Sequence, residues 1–158
     1  MRFNRDDYED DDMPMRWHKF LIFFLILSTL SAFGNALKMF TGLNHGSYYD
    51  AQLYYKTFSG LKYLDVFGGI VLIIIAVLTI VTAVSLKKYK RGGPTLLVVQ
   101  YAMCAIFRPL YAILCSIITK LPIEDLLDLS MPLIIVVFII FIILNMIYYK
   151  KRTHLFVN

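Results

Sequence analysis

Four apolar stretches, each about twenty residues long, constrain this chain more than any other feature. They run over residues 20–39, 66–86, 96–118 and 131–149. At 1.5 Å of rise per residue, about twenty helical residues cross a hydrocarbon core of about 30 Å. Lipid offers no hydrogen bonds to backbone groups, so a spanning segment of this composition has to be helical. The expected fold is therefore all-α: a polytopic membrane protein built as an antiparallel bundle of four transmembrane helices. Hydrophobic residues make up 59% of the 158 and the mean hydropathy is +0.66, both above the range of a soluble domain. What lies outside the spans is too short for a second core. The division is then a 1–19 acidic tail, a 20–149 transmembrane domain and a 150–158 basic tail.

Charge gives the orientation. Eleven of the sixteen Lys and Arg residues fall before the first span (Arg2, Arg5, Arg16, Lys19), between the second and third (Lys87, Lys88, Lys90, Arg91) or after the fourth (Lys150, Lys151, Arg152). The alternate connections carry Lys38, Lys56, Lys62 and Lys120. The positive-inside bias places both termini and the Lys87–Arg91 turn in the cytoplasm. The net charge of +5 sits at span ends and not on a soluble face, which argues against nucleic acid and for membrane lipids, anionic ones included. Arg16 and Lys19 ahead of an apolar run ending in Ser-Ala-Phe-Gly-Asn-Ala have the outline of a cleaved leader. The acidic run from Asp6 to Asp12 and the length of the run oppose that, so the first segment is read as a retained span.

The connection from Thr41 to Asp65 is dense in aromatic residues: Tyr48, Tyr49, Tyr54, Tyr55, Phe58 and Tyr63. Their spacing predicts a short helix lying on the outer interface, with Gly42 and Gly46 marking its approach and Ser59 capping the second span. Lys-Lys-Tyr-Lys-Arg-Gly-Gly-Pro at 87–94 reads as a tight turn, with Gly92 or Gly93 releasing the chain and Pro94 opening the third span. The outer turn from Pro122 to Ser130 reads as a short amphipathic segment, with Ser130 capping the last span.

Within lipid, helices associate through small and polar side chains. Span one offers Ser28, Ser31, Ala32, Asn35 and Lys38; span two offers Asp65, Gly68, Ala76, Thr79 and Ala83. Span three places Gln100, Cys104, Arg108, Tyr111 and Cys115 within an arc of about 80°. The expected packing face is Ala32, Asn35, Gly68, Ala76, Ala83, Gln100 and Cys104. Span four, with Asn145 its one polar residue, is the most lipid-exposed member.

Arg108 is the anomaly. A centred arginine costs about 2.5–3.5 kcal/mol on insertion scales. Pro109, following it, frees the Ala105 carbonyl and introduces a possible hinge. The expected neighbourhood of Arg108 is Ser28, Ser31 and Thr79, an anion- or lipid-binding candidate, with Asp65 the nearest acid in its own chain. Snorkelling without a ligand and contact with another chain are the competing readings.

Catalytic and metal signatures are missing: no G-x-S-x-G, HExxH, CxxC or P-loop pattern occurs, and His18, His45 and His154 are scattered. No cofactor, metal or catalytic residue is expected. Cys104 and Cys115 lie about 16 Å apart along one helix, too far for a disulfide.

The ending Tyr148-Tyr149-Lys-Lys-Arg-Thr-His-Leu-Phe-Val-Asn158, with Arg-Trp-His-Lys-Phe-Leu at 16–21 and Gly-Leu-Lys at 60–62, resembles a group of small, uncharacterised bacterial four-span membrane proteins. The resemblance covers residues 16–158. It implies a bacterial inner membrane and carries over no functional residue. Three function classes remain at this stage. The first is a non-enzymatic accessory or scaffold subunit, acting through lipid contacts or helix contacts with a second copy or a partner protein. The second is a small oligomeric transporter or channel component, which resembles four-span exporters in size but lacks a glutamate in its first span. The third is a lipid-modifying enzyme, opposed by the lack of an acid, base and nucleophile cluster.

Overall fold

The computed structural model describes residues 15–122 and 130–156. The acidic run from Asp6 to Asp12, the acidic residues of the Pro122–Ser130 turn and the side chain of Ser130 lie outside the described residues. Those described form helices and short turns: α1 Arg16–Thr41, α2 Tyr48–Thr57, α3 Leu61–Lys87, α4 Gly93–Thr119 and α5 Ser130–Lys150, with 3-10 turns at Leu43–His45 and Thr153–Leu155. Four of the five helices are long and apolar enough to cross a membrane.

Local chemistry sets the ends. α1 stops at Gly42, which adopts φ 78° and returns its N–H to the Met39 carbonyl at 3.3 Å. A Cβ there would also sit 2.7 Å from Ala51 Cβ and 2.9 Å from the Tyr55 hydroxyl. Glycine is thus required twice, for the turn and for the close approach of α2. α2 opens with a capping box: Ser47 accepts from the Asp50 amide, and the Asp50 carboxylate accepts from the Ser47 amide at 3.0 Å. The Ser59 cap expected for α3 does not form, because Gly60 occupies the N-cap position with no side-chain bond. In the turn before α4 the left-handed residue is Tyr89, at φ 51°, and neither Gly92 nor Gly93. Those glycines instead form the N-cap and first residue of α4, where Gly93 lets the chain pass the Leu86 backbone.

α3 is the central helix, packed antiparallel on α1 and on α4, and α5 packs on α4. At the end carrying Lys87–Arg91, here the basic end, all four long helices meet around Leu21, Leu25, Leu86, Leu97 and Tyr149. Midway, Ala36, Leu72 and Ile75 join α1 and α3, with Met103 and Phe107 of α4 against them. At the opposite, aromatic end, Leu61, Leu64 and Cys115 form a third layer under Tyr55 and Phe58. α5 contributes little: 11% of its apolar window is buried, against 44% for α3.

The segment after α5 turns back onto the bundle. Phe156 is buried against His18, Tyr89 and Tyr149, with ring centroids 5.3–6.0 Å apart. Arg152 stacks over the Tyr148 ring at 4.0 Å. α1 also begins ahead of its apolar run, so that Trp17 donates to Asn145 Oδ1 at 3.2 Å and His18 Nδ1 meets the Tyr149 hydroxyl at 3.0 Å. The basic end is closed by an aromatic and polar clasp built from both ends of the described chain.

Candidate functional site

The densest polar cluster lies at the aromatic end, on Asp65. This residue is in the second turn of α3, one turn before Gly68 and Gly69, and it is fully buried. Its Oδ2 accepts from the Tyr55 hydroxyl at 2.6 Å and from His45 Nε2 at 2.7 Å. Its Oδ1 accepts from the Tyr111 hydroxyl and, at 3.4 Å, from the Asn44 amide, which also donates to the Tyr111 oxygen at 3.1 Å. Four elements converge on one carboxylate: the 3-10 turn, α2, α3 and α4.

The placement follows from local structure. Gly42 turns the chain back so that Asn44 and His45 pass over the end of α3, and the Ser47 capping box sets α2 at an angle that delivers Tyr55. Gly68 leaves room for Tyr111, since a Cβ there would meet that ring at 3.4 Å and Met39 Sδ at 2.8 Å. Because His45 Nε2 has to donate to the carboxylate, its hydrogen points at Asp65 and not at Asn44. Burial, then the bond to Asp65, pushes the Tyr55 phenol above its usual range. The two bonds from Ser47 hold the exposed Asp50 carboxyl below the usual carboxylate range.

A carboxylate has about four lone-pair sites, and here each is taken by a protein donor. In this arrangement Asp65 is an acceptor holding the 43–57 segment onto the helices.

The residues singled out from sequence fare unevenly. Gly68, Ala76, Thr79 and Ala83 are all buried on α3, as the small-residue face requires. Thr79 bonds back to the Ile75 carbonyl at 2.7 Å, so its hydroxyl is occupied within its own helix. Gln100 is buried and donates to Cys104 Sγ at 3.5 Å, while its Oε1 has no partner among the described residues. On α1 the expected stripe is displaced. The buried positions are His18, Leu21, Leu25, Thr29 and Ala36, with Ala32 and Ser28 half-buried, whereas Ser31 and Asn35 are exposed. Leu21 and Leu25 set the face, which also takes in Thr29, while Ser31 and Asn35 lie outside it.

Arg108 is exposed and makes no hydrogen bond or ion pair among the described residues. The expected juxtaposition with Ser28, Ser31 and Thr79 does not form, and Asp65 is engaged elsewhere. Arg108 shares a helical face with buried Gln100 and Cys115, yet no α4 residue between Tyr101 and Ala112 is buried. α5 touches α4 at Tyr101 through Phe138 and Phe141, and Leu133, further toward the aromatic end, is 66% exposed. Mid-α4 packs on α1 and α3 through Met103, Cys104 and Phe107, and the described helices leave exposed the side that carries Ile106, Arg108 and Leu110.

Sequence reasoning listed Asp65 without finding its partners. The signal was an acid opening an apolar run, with His45 and Tyr55 in the preceding connection; that they reach it depends on the Gly42 turn. Comparison with protein-family models, curated proteins and solved structures finds no match. Four helices long and apolar enough to cross a membrane suggest a class, the multi-pass helical membrane protein, and function has to be read from this chain's own residues.

Proposed function

We propose that the chain is a non-enzymatic assembly subunit of a bacterial inner membrane, with both termini in the cytoplasm, and that it joins a partner laterally through the middle of α4. The observation that carries this is the exposure of Arg108. It lies fifteen residues from the start of α4, about 22 Å along a helix of about 40 Å, close to the bilayer centre. An arginine side chain reaches several ångströms, which leaves it short of the headgroups on either side. Left in lipid it costs about 2.5–3.5 kcal/mol. A second transmembrane helix presenting a carboxylate or free carbonyl removes that cost, and the exposed side of α4 between Tyr101 and Ala112 supplies the surface it would cover. The apolar flanks, Ile106 and Leu110, are exposed as well. The saturation of Asp65 supports a structural, non-catalytic reading of the polar cluster.

The test is photocrosslinking in native membranes from positions Ile106 and Leu110, followed by mass spectrometry. The expected result is an adduct heavier than the 18.3 kDa chain that disappears in Arg108→Leu. A second copy and a different protein are told apart by the adduct's peptides. A chain that stays at its own mass and melts higher as Arg108→Leu would overturn the proposal, since an unpartnered arginine is only a cost.

A further inference from the structure

The basic end carries a feature that neither Asp65 nor Arg108 explains. A groove of about 1090 Å³ opens between the first turns of α4 and the last turns of α5. Its walls are Val98 on α4 with Ile143 and Ile147 on α5, and Tyr149 and Phe156 line it too. Its rim holds Arg91 and Lys150, both exposed. Among the described residues that line it there is no Asp or Glu.

Depth and charge together select the occupant. From Lys150 back to Ile143 is seven residues, about 10 Å along α5, which is the distance from the headgroup layer into the upper acyl region. An object seated here meets cations at the water boundary and aliphatic side chains below. The first turn of α4 lies on the same rim through Pro94 and Thr95. No acid sits in the first turn of that helix, so its positive dipole end adds to the charge of the rim. A zwitterionic lipid gains little from such a rim, because its own ammonium meets Arg91 and Lys150. A soluble anion gains nothing from the apolar walls.

We propose that this groove binds one acidic phospholipid, its phosphate at the Arg91 and Lys150 rim and its acyl chains along Val98, Ile143 and Ile147. The site stands apart from the assembly reading, since Arg108 lies about 20 Å away along α4.

The experiment is native mass spectrometry of the full chain titrated with phosphatidylglycerol or with phosphatidylcholine of the same acyl chains. The wild type should retain one phosphatidylglycerol at least tenfold more strongly than phosphatidylcholine. The R91Q/K150Q double variant should lose that preference, about tenfold or more for two basic residues near the headgroup plane. The K87Q/K88Q pair removes the same charge from the same end but outside the groove, and should keep it. V98W, which fills the apolar part and leaves both cations, should weaken retention of phosphatidylglycerol. Glycerol 3-phosphate should not compete, which separates a lipid from its headgroup alone. Equal loss in both charge pairs would reduce the site to diffuse attraction by a basic surface and overturn the proposal. Undiminished retention in R91Q/K150Q, or undiminished retention in V98W, would overturn it as well.

Discussion

Replacing Asp65 by Ala removes the acceptor on which four donors converge, and the structure indicates what that costs. Tyr111 is half-buried on α4, so its hydroxyl bears most of the penalty of a stranded donor, about 1–3 kcal/mol. Tyr55 and His45 lie nearer solvent, with His45 16% exposed at its side chain; each loses a charge-assisted bond but regains water, for about 1 kcal/mol apiece. Relief of the buried charge offsets part of the sum. About 3 kcal/mol remains, and the loss is local, because the bonds tie the 43–57 segment to α3 and α4 and leave the basic-end clasp untouched. At 1.4 kcal/mol per tenfold, amides of that segment should exchange about a hundredfold faster in Asp65→Ala, and the melting temperature in detergent should fall by about 6–12 °C. Asp65→Asn should lie between: it keeps a carbonyl oxygen for Tyr111 and sets an amide against Tyr55 and His45. Hydrogen exchange read by mass spectrometry checks both. An Asp65→Ala chain whose 43–57 amides exchange at the wild-type rate, or whose added exchange spreads evenly over α1 and α5, would refute the role of Asp65 in holding that segment.

Two further expectations concern packing and orientation. Gly68→Leu drives a side chain into Met39 and the Tyr111 ring and should lower detergent stability by about 2 kcal/mol or more through overpacking, whereas Ile139→Trp, on a half-exposed position of α5, should leave it unchanged; equal melting of the two would mean the small-residue contact is not what holds α3. A thiol introduced at Tyr48 should react with an impermeant reagent from outside the cell and one at Lys90 only after lysis, and labelling of Lys90 from outside would reverse the orientation inferred from the basic residues.

The helices were legible because lipid leaves little choice: runs of about twenty apolar residues declare themselves, and the turns between them carry glycine, proline and lysine. The α3 face was legible too, since Gly68, Ala76, Thr79 and Ala83 recur at helical spacing in a helix that is central and buried. α1 was misread for a physical reason. Small and polar residues attract helices only where something lies opposite, and there Leu21, Leu25 and Ala36 meet α3, with Ser31 and Asn35 rotated away. Arg108 was expected to face the other helices and is exposed, because burial depends on how far α5 follows α4, and no local pattern encodes that. The Asp65 cluster joins residues up to 67 positions apart through a turn made by Gly42, a contact written in tertiary geometry alone.

The distribution of polar contacts along the bundle argues for where it yields. The aromatic end is held by the bonds to Asp65, and the basic end by Trp17 on Asn145, His18 on Tyr149 and the return of Phe156. Between them no side-chain hydrogen bond joins two helices among the described residues, since Thr79 and Gln100 bond within their own helices, and in lipid apolar contacts gain little over lipid itself. Pro109 falls in this middle stretch and removes one backbone bond from α4. Opening α4 at mid-span therefore breaks no polar contact at either end. A helix fixed at both ends and loosely held at its centre, where Arg108 has no ion pair among the described residues, would take the proposed partner without unfolding the bundle that carries it.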